Sequence, residues 1–388
     1  MEQKTIYLDN AATTKTDPAV VEAMIPYFTE TYAVASSQFS HTPGILAREA
    51  LDRAREIIGR KLNASPEEIV FTSGGTEANN LALKGTAFAH RSKKNHIICS
   101  KIEHNSVLHS CRWLGKEGFD VTYIDVDKEG FVDIDQLRKT ITNRTFLVSI
   151  QHGNQEVGTI QPVEEIGKIC KERGILFHTD AALSFTQLDI DVNQINADLV
   201  TLSAHKIHGP KGIGALYVRK GTPLKKLIHG GYHEFDLRAG TENVAGAVGF
   251  GRAVELFKPE QVSFIKSLQK ILLEKLTKEI DGVEINGPEN LEKRLPSNVN
   301  VSFSRIEGES VVLHLDMKGI AVITGSACFS RSLEPSYVMM AMGFSHERAH
   351  GSIRFTFSRF NKLEEVDHVV ESCKEVVESL RKISPLKE

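Results

Sequence analysis

Lys206 follows directly on a near-continuous apolar run, Leu199-Val200-Thr201-Leu202, within the segment Ser203-Ala204-His205-Lys206-Ile207-His208-Gly209-Pro210-Lys211-Gly212. A strand end fixes the position of an amine, and desolvation there lowers its pKa toward the neutral form that attacks carbonyls. A single lysine in a loop is ordinarily a solvated surface group. Here Ser203 and His205 add anion-binding groups, and the glycine-rich turn permits close approach of a ligand.

Two further segments have matching chemistry. Thr72-Ser73-Gly74-Gly75-Thr76-Glu77-Ala78-Asn79-Asn80 follows a strand-like run and opens an apolar-periodic helix, so backbone N–H groups near Gly75 and the Thr76 hydroxyl can face an anion at the positive end of the helix. The spacing fits neither a Walker loop nor a dinucleotide fingerprint, and a plain tight turn is the competing account. His178-Thr179-Asp180-Ala181-Ala182 ends the run Ile175-Leu176-Phe177, where ligands of open α/β sheets gather. Asp180 there either pairs with a cationic ring nitrogen or caps the next helix. A phosphate cup, an acidic partner and an amine on one sheet edge are the parts that a pyridoxal phosphate site requires.

Of the five cysteines, at 99, 111, 170, 328 and 373, none stands in a Cys-x-x-Cys spacing, so neither a disulfide framework nor a zinc module is expected. Cys328 has the most unusual surroundings, the small residues of Thr324-Gly325-Ser326-Ala327-Cys328, and only its thiolate would be a nucleophile. Arg354 is a charge inside the apolar strand Ser352-Ile353-Arg354-Phe355, and burying it demands a carboxylate, either a ligand's or that of a neighbouring Glu.

The 388 residues carry 47 basic and 50 acidic side chains, a formal charge of -3, which gives no field to gather nucleic acid or anionic lipid. The N-terminus shows no basic stretch followed by an apolar one, and no window approaches the ~18 apolar residues of a membrane span. A cytosolic protein with no membrane or nucleic-acid partner is expected.

What must position these groups is an α/β frame. Between about residues 66 and 220 short β-branched runs recur at 69–71, 97–99, 121–124, 146–150, 175–177 and 199–202, separated by stretches with apolar residues at helical spacing. A largely parallel, doubly wound sheet covered by helices follows. After about residue 257 the pattern becomes that of a smaller α+β unit, with helices near 262–280, 310–317 and 363–380 and strands near 297–303 and 351–360. Residues 1–20 and the helix-like 42–62 precede the first regular unit and are candidates to pack with the C-terminal part.

The sequence resembles the cysteine desulfurases of the class V aminotransferase group. The likeness runs nearly end to end, through Tyr7-Leu8-Asp9-Asn10-Ala11-Ala12-Thr13-Thr14, Thr72–Asn80, Ile102-Glu103-His104, residues 203–212, Arg238-Ala239-Gly240-Thr241-Glu242-Asn243, Gly325-Ser326-Ala327-Cys328 and Leu333-Glu334-Pro335-Ser336. It implies a fold-type I pyridoxal phosphate enzyme. Residues 15–257 would form a large domain with a mostly parallel seven-stranded sheet, and 1–14 with 258–388 a small α+β domain. By the same resemblance Lys206 holds the cofactor as a Schiff base, Asp180 keeps its ring nitrogen protonated, and His104 stacks on the ring and moves protons. Gly75, Thr76, Ser203 and His205 hold the phosphate, Thr241 reaches the phosphate of a neighbouring subunit in a homodimer, and Arg354 binds the carboxylate of L-cysteine. Cys328 takes the sulfur as a persulfide and passes it to an acceptor, such as an iron–sulfur scaffold or a tRNA-modifying protein. No resident metal is implied, though Cys328 is a candidate transient ligand of an iron–sulfur cluster.

The chain departs from the family pattern around the expected pocket. Leu183 replaces a glutamine that donates to the cofactor's phenolic oxygen, and Gln155 replaces an asparagine, its extra methylene pushing the amide toward the substrate space. Ala33-Val34-Ala35, Tyr232, Ile323 and Phe329 also add bulk or apolar surface. A desulfurase with a remodelled pocket is the reading these residues favour. A lyase or transaminase acting on another amino acid, and a scaffold paralogue without turnover, are the alternatives.

Overall fold

In the computed structural model, which describes residues 5–325 and 334–384, the β-branched runs become neighbouring strands of one sheet. The chain enters through β1 (Ile6–Tyr7) and then forms β2 (Ile69–Thr72), β3 (His96–Ser100), β4 (Asp120–Ile124), β5 (Thr145–Ser149), β6 (Leu176–Asp180), β7 (Leu199–Ser203) and β8 (Gly214–Val218). Strands β2 to β8 make a seven-stranded sheet in the order β2-β8-β7-β6-β5-β3-β4. Only β8 runs against its neighbours, pairing antiparallel with both β2 and β7. The sequence runs do not pick out β8, because Gly214 and Ala215 dilute its β-branched signal.

Because the other six strands point the same way, β2, β3, β6 and β7 all end on one edge. Strands β3, β5, β7 and β8 are buried along their whole length, as a sheet sandwiched between helix layers must be. The covering helices are correspondingly amphipathic. In Val163–Glu172 the buried positions are Val163, Ile166, Gly167, Ile169 and Cys170, and a Cβ at Gly167 would stand 1.8 Å from the Ile195 carbonyl oxygen, so only glycine admits that approach.

The helix Thr42–Lys61 belongs to this large unit. It buries Ala47, Leu51, Ala54 and Ile58 and packs on the helix Val244–Leu256, which corrects the expectation that residues 42–62 join the C-terminal part. Periodicity shows which face of a helix is buried and leaves its partner open.

The second unit is antiparallel. Strands β9 (Val283–Ile285), β10 (Asn298–Phe303), β12 (Ile323–Thr324) and β13 (Ser352–Thr356) lie in the order β12-β13-β10-β9, while β11 (Ile320–Ala321) pairs parallel with β1. Helices Pro259–Glu279 and Leu363–Ile383 cover this sheet with a core of its own that includes Leu8, Leu268, Leu272, Phe303, Phe355 and Val369. The N-terminal segment joins the two units: β1 pairs with β11, Asp9 bridges to Thr356, and the next residues run to the loop after β7, where Thr14 N donates to the His205 carbonyl at 3.0 Å.

Candidate active site

A cavity of about 550 Å³ opens at the carboxyl edge of the large sheet. Its wall gathers Gly75 and Thr76 after β2, His104 after β3, Gln155 after β5, Asp180 and Leu183 at the end of β6, Ser203 as the last residue of β7, and His205 and Lys206 just beyond it. Arg354 and Thr241 do not line it, and Thr241 is exposed. Cys328 lies outside the described residues.

Lys206 is placed by a single 3₁₀ turn, Ala204–Lys206, directly behind β7. Its Nζ donates to the carbonyls of Ala11 and Ala12, the latter at 2.8 Å. His205 Nδ1 sits 3.1 Å from Thr13 Oγ1. Burial, with help from Lys206 and Lys211, lowers the His205 pKa to about 4, so the ring is neutral at physiological pH.

Asp180 is 8% exposed, and each of its oxygens has a donor: Ala182 N at 3.0 Å on Oδ1 and Asn79 Nδ2 at 2.6 Å on Oδ2. The turn-capping and ring-pairing roles thus do not exclude each other. Asn79 also reaches Ser106 Oγ at 2.8 Å, which lies 2.7 Å from His104 Nδ1. Ser106 N, at 3.2 Å, donates to the same nitrogen. An Nδ1 that accepts leaves the ring proton on Nε2. Burial lowers the pKa of His104, Asp180 opposing and Lys206 adding to the shift, so the imidazole is neutral at pH 7.

The anion end of the cavity is the start of the helix that runs from Gly75 to His90 and includes a π turn at Leu81–Gly85. Gly214 on β8 lets that turn come close, since a Cβ there would stand 2.7 Å from the Gly74 Cα. Ser203 buries its hydroxyl at the cavity wall without a partner among the described residues, which is what a site for a phosphate oxygen would leave open. Glu77 takes Arg238 Nε at 2.9 Å and so ties the segment leading to Thr241 to this turn.

Beside His104, Glu103 is fully buried and accepts from Ser100 Oγ and from Gln151 N. Burial pushes its carboxyl up to about 8 despite those bonds. On the far wall Gln155 Nε2 donates to Tyr337 Oη at 3.0 Å. Arg354 is 9% exposed in β13, with Nη1 on the Gln155 carbonyl at 2.8 Å and Nη2 on Asp9 Oδ1 at 2.7 Å, while its Nε is buried without a partner among the described residues. The carboxylate this arginine requires is therefore supplied within the chain, by an aspartate in the N-terminal segment instead of the neighbouring Glu considered from the sequence.

The sequence profile described as Aminotransferase class-V matches residues 6–369. The chain belongs to the aminotransferase class-V family. A member from Clostridium botulinum named cysteine desulfurase IscS is 47% identical over 386 residues, covering 99% of this chain and 97% of that protein. A solved structure described as a NifS-like protein superposes with a TM-score of 0.90 at 38% identity, covering 97% of this chain and 100% of its own. Another, described as SspA in complex with cysteine, gives a TM-score of 0.83 at 40% identity, covering 92% and 100%.

Among the described residues that depart from the class V pattern, only Leu183 and Gln155 line the cavity. This corrects the expectation that all of them cluster there: Tyr232 is 89% exposed and Ala35 is buried beneath the surface of the large unit, whereas Ile323 pairs across from Arg354. Phe329 lies outside the described residues. Asn79, Ser106, Tyr337 and Asp9 were not singled out from sequence. Asn79 had a legible signal, an amide on the buried side of an apolar helix between Ala78 and Leu81; the other three are recognisable only once the fold brings distant segments together.

Proposed function

We propose that the protein is a pyridoxal phosphate-dependent cysteine desulfurase that converts L-cysteine to L-alanine and transfers the sulfur to a thiol of its own. The observation that carries this reading is one cavity joining the Lys206 amine, the doubly hydrogen-bonded Asp180 carboxylate and the neutral His104 ring. Members of the class V family named cysteine desulfurase, and a related structure holding cysteine, support the choice of reaction.

The residues present suit the cofactor. Lys206 offers the amine that would hold it, Asp180 the carboxylate for a protonated ring nitrogen, and the buried Ser203 hydroxyl with the Gly75–Thr76 turn and His205 the donors for a phosphate. When bound, pyridoxal phosphate supplies an electrophilic carbon and a ring that draws electron density from the substrate's Cα. His104 keeps Nδ1 occupied by the Ser106 donors, so its Nε2 is the atom that gives and regains a proton in the cavity. Arg354, already steadied by Gln155 and Asp9, is the cation nearest in role to a substrate carboxylate site. In the transfer the cysteine C–S bond breaks and a sulfur–sulfur bond forms to the thiolate of Cys328, leaving alanine and a persulfide for an acceptor protein.

Thr241, exposed and outside the cavity of its own chain, is available to a second subunit, and the exposed Phe28, Tyr32, Phe39, Leu46 and Tyr232 favour a homodimer. A cytosolic site of action and a division into 15–257 and 1–14 with 258–388 complete the reading.

The deciding experiment is an anaerobic assay of the cofactor-loaded protein with L-cysteine and a panel of other amino acids, scoring alanine, keto acids and persulfide together. Alanine and protein-bound persulfide in equal amounts from L-cysteine alone are expected. Cys328→Ser protein should bind cofactor and form no persulfide. Keto acids, or turnover of a different amino acid in preference, would replace the reading with a transaminase or another lyase.

A further inference from the structure

Gln155 is held at both ends. Arg354 Nη1 donates to its backbone carbonyl at 2.8 Å, and its side-chain Nε2 lies 3.0 Å from Tyr337 Oη. The Tyr337 hydroxyl in turn lies 2.7 Å from the carbonyl oxygen of Glu103, the residue before His104. A carbonyl can only accept, so the single hydroxyl proton is committed to Glu103, and toward Gln155 the tyrosine oxygen can only accept. The group of the Gln155 amide that meets it must therefore be the NH₂. That fixes the flip of the amide and leaves Oε1 and one N–H for the cavity that Gln155 lines.

We propose that Tyr337 is a positioning residue that sets which face of the Gln155 amide is offered to the substrate. The inference rests on the desulfurase reading for the identity of that substrate. The tyrosine is well placed for the task. It opens the helix Tyr337–Ala341, capped by Ser336 Oγ on Met339 N, and the next two residues, Val338 and Met339, are buried in an apolar cluster with Ile102 and Val157. Ile102 immediately precedes Glu103 and Val157 lies two residues after Gln155, so the cluster locks the helix onto both segments that the hydroxyl bridges. The side chain at 155 must be long enough to reach. An asparagine, one methylene shorter, would fall about 1.5 Å short of a 3.0 Å contact, outside hydrogen-bond range. The longer residue and the tyrosine thus act as a pair.

The test is a double-mutant cycle on cofactor-loaded protein with L-cysteine, using Tyr337→Phe, Gln155→Asn and both together, with melting temperatures alongside. Tyr337→Phe keeps the ring and its packing. It should raise KM about threefold to tenfold, the size of one hydrogen bond, with kcat within about twofold. In the Gln155→Asn background, where the contact is already lost, the same change should leave KM unmoved. Equal effects of Tyr337→Phe in both backgrounds, or none in either, would overturn the proposal. A second readout does not depend on turnover. In crystals of Tyr337→Phe protein the Gln155 amide should leave its single orientation, and an amide that stays put would overturn the proposal as well. If the unaltered protein released no alanine from L-cysteine while the amide swung as expected, the desulfurase reading would fall and the positioning role would stand.

Discussion

Asn79 Nδ2 lies 2.6 Å from Asp180 Oδ2, and the same nitrogen reaches Ser106 Oγ at 2.8 Å. One amide, 1% exposed, therefore ties the carboxylate that ends β6 to the serine that orients the His104 ring. Both N–H groups are spent, and the Asn79 Oδ1 is buried with no partner among the described residues, so among these the arrangement is stabilised by what the nitrogen donates. Its chemical use is to keep the Asp180 carboxylate aimed while the same amide steadies the serine beside His104.

Asn79→Ala should therefore weaken the site and the fold together. Removing the amide leaves two buried acceptors without a donor, a loss of roughly 1–3 kcal/mol in urea unfolding. Asn79→Asp should be worse for the cofactor than Asn79→Ala, because a second carboxylate beside Asp180 would force one of the two to take up a proton. Equilibrium dialysis of pyridoxal phosphate against the three proteins checks the order: unaltered tightest, then Ala, then Asp.

Glu103 gives a prediction with a definite sign. Burial lifts its carboxyl to about 8, above the ordinary value of 4.5 that it regains on unfolding. Between those values the folded chain binds the extra proton, so the contribution of this group to stability is fully present below pH 4.5 and is lost as pH rises toward 8. The loss amounts to about 1 kcal/mol per pH unit at its steepest. Glu103→Gln, which keeps the shape and an oxygen for Ser100, carries no titrating proton. The stability difference between the two proteins should drift steadily across pH 5–8 in favour of the glutamine form, and a pH-independent difference would show that Glu103 ionises normally.

How far the site is legible in the chain depends on the range of the interaction that makes it. Gly75, Thr76, Asp180, Ser203 and Lys206 announce themselves because each follows an apolar strand run at the place where a parallel sheet leaves its ligands. The six strands whose ends matter are equally plain. What escaped is everything that crosses between units. Asp9 pairs with Arg354 over 345 positions, Tyr337 meets Gln155 over 182, and no local pattern encodes either partner. The helix Thr42–Lys61 failed for a related reason: its buried stripe is evident, but the stripe has no address. The antiparallel β8 escaped because glycine and alanine mask a strand that burial alone sustains.

Several buried histidines make the fold acid-sensitive. Burial holds His152, His178 and His208 near 4, and His205 sits there too; each titrates near 6.5 when unfolded. A depressed histidine pKa gives stability that is present above pH 6.5 and lost as pH falls toward 4, because the unfolded chain gains the proton first. With four such groups the urea midpoint should drop steeply between pH 6.5 and 4.5. His178 is the best single test, since both ring nitrogens face hydroxyls, Ser149 Oγ at 2.8 Å and Thr201 Oγ1 at 3.1 Å. His178→Gln should shallow the acid limb while costing stability at pH 7.

Asp9 and Arg354 discriminate between a structural arginine and one that meets substrate. Asp9 holds Nη2 at 2.7 Å, with both side chains mostly buried at 17% and 11% exposure. Asp9→Asn keeps an oxygen acceptor and, with the Gln155 carbonyl on Nη1, leaves the guanidinium in place, yet it removes the competing negative charge. If Arg354 receives the carboxylate of L-cysteine, the freed charge should lower KM by about twofold to fivefold, the range of a partly exposed ion pair. The variant should at the same time lose about 1 kcal/mol of stability through the unbalanced cation. Arg354→Lys should raise KM, because an ammonium cannot span the three positions of the guanidinium fork. A KM indifferent to both changes, with only the melting temperature moving, would make the pair a strut between β13 and the N-terminal segment and assign the substrate carboxylate to a different residue.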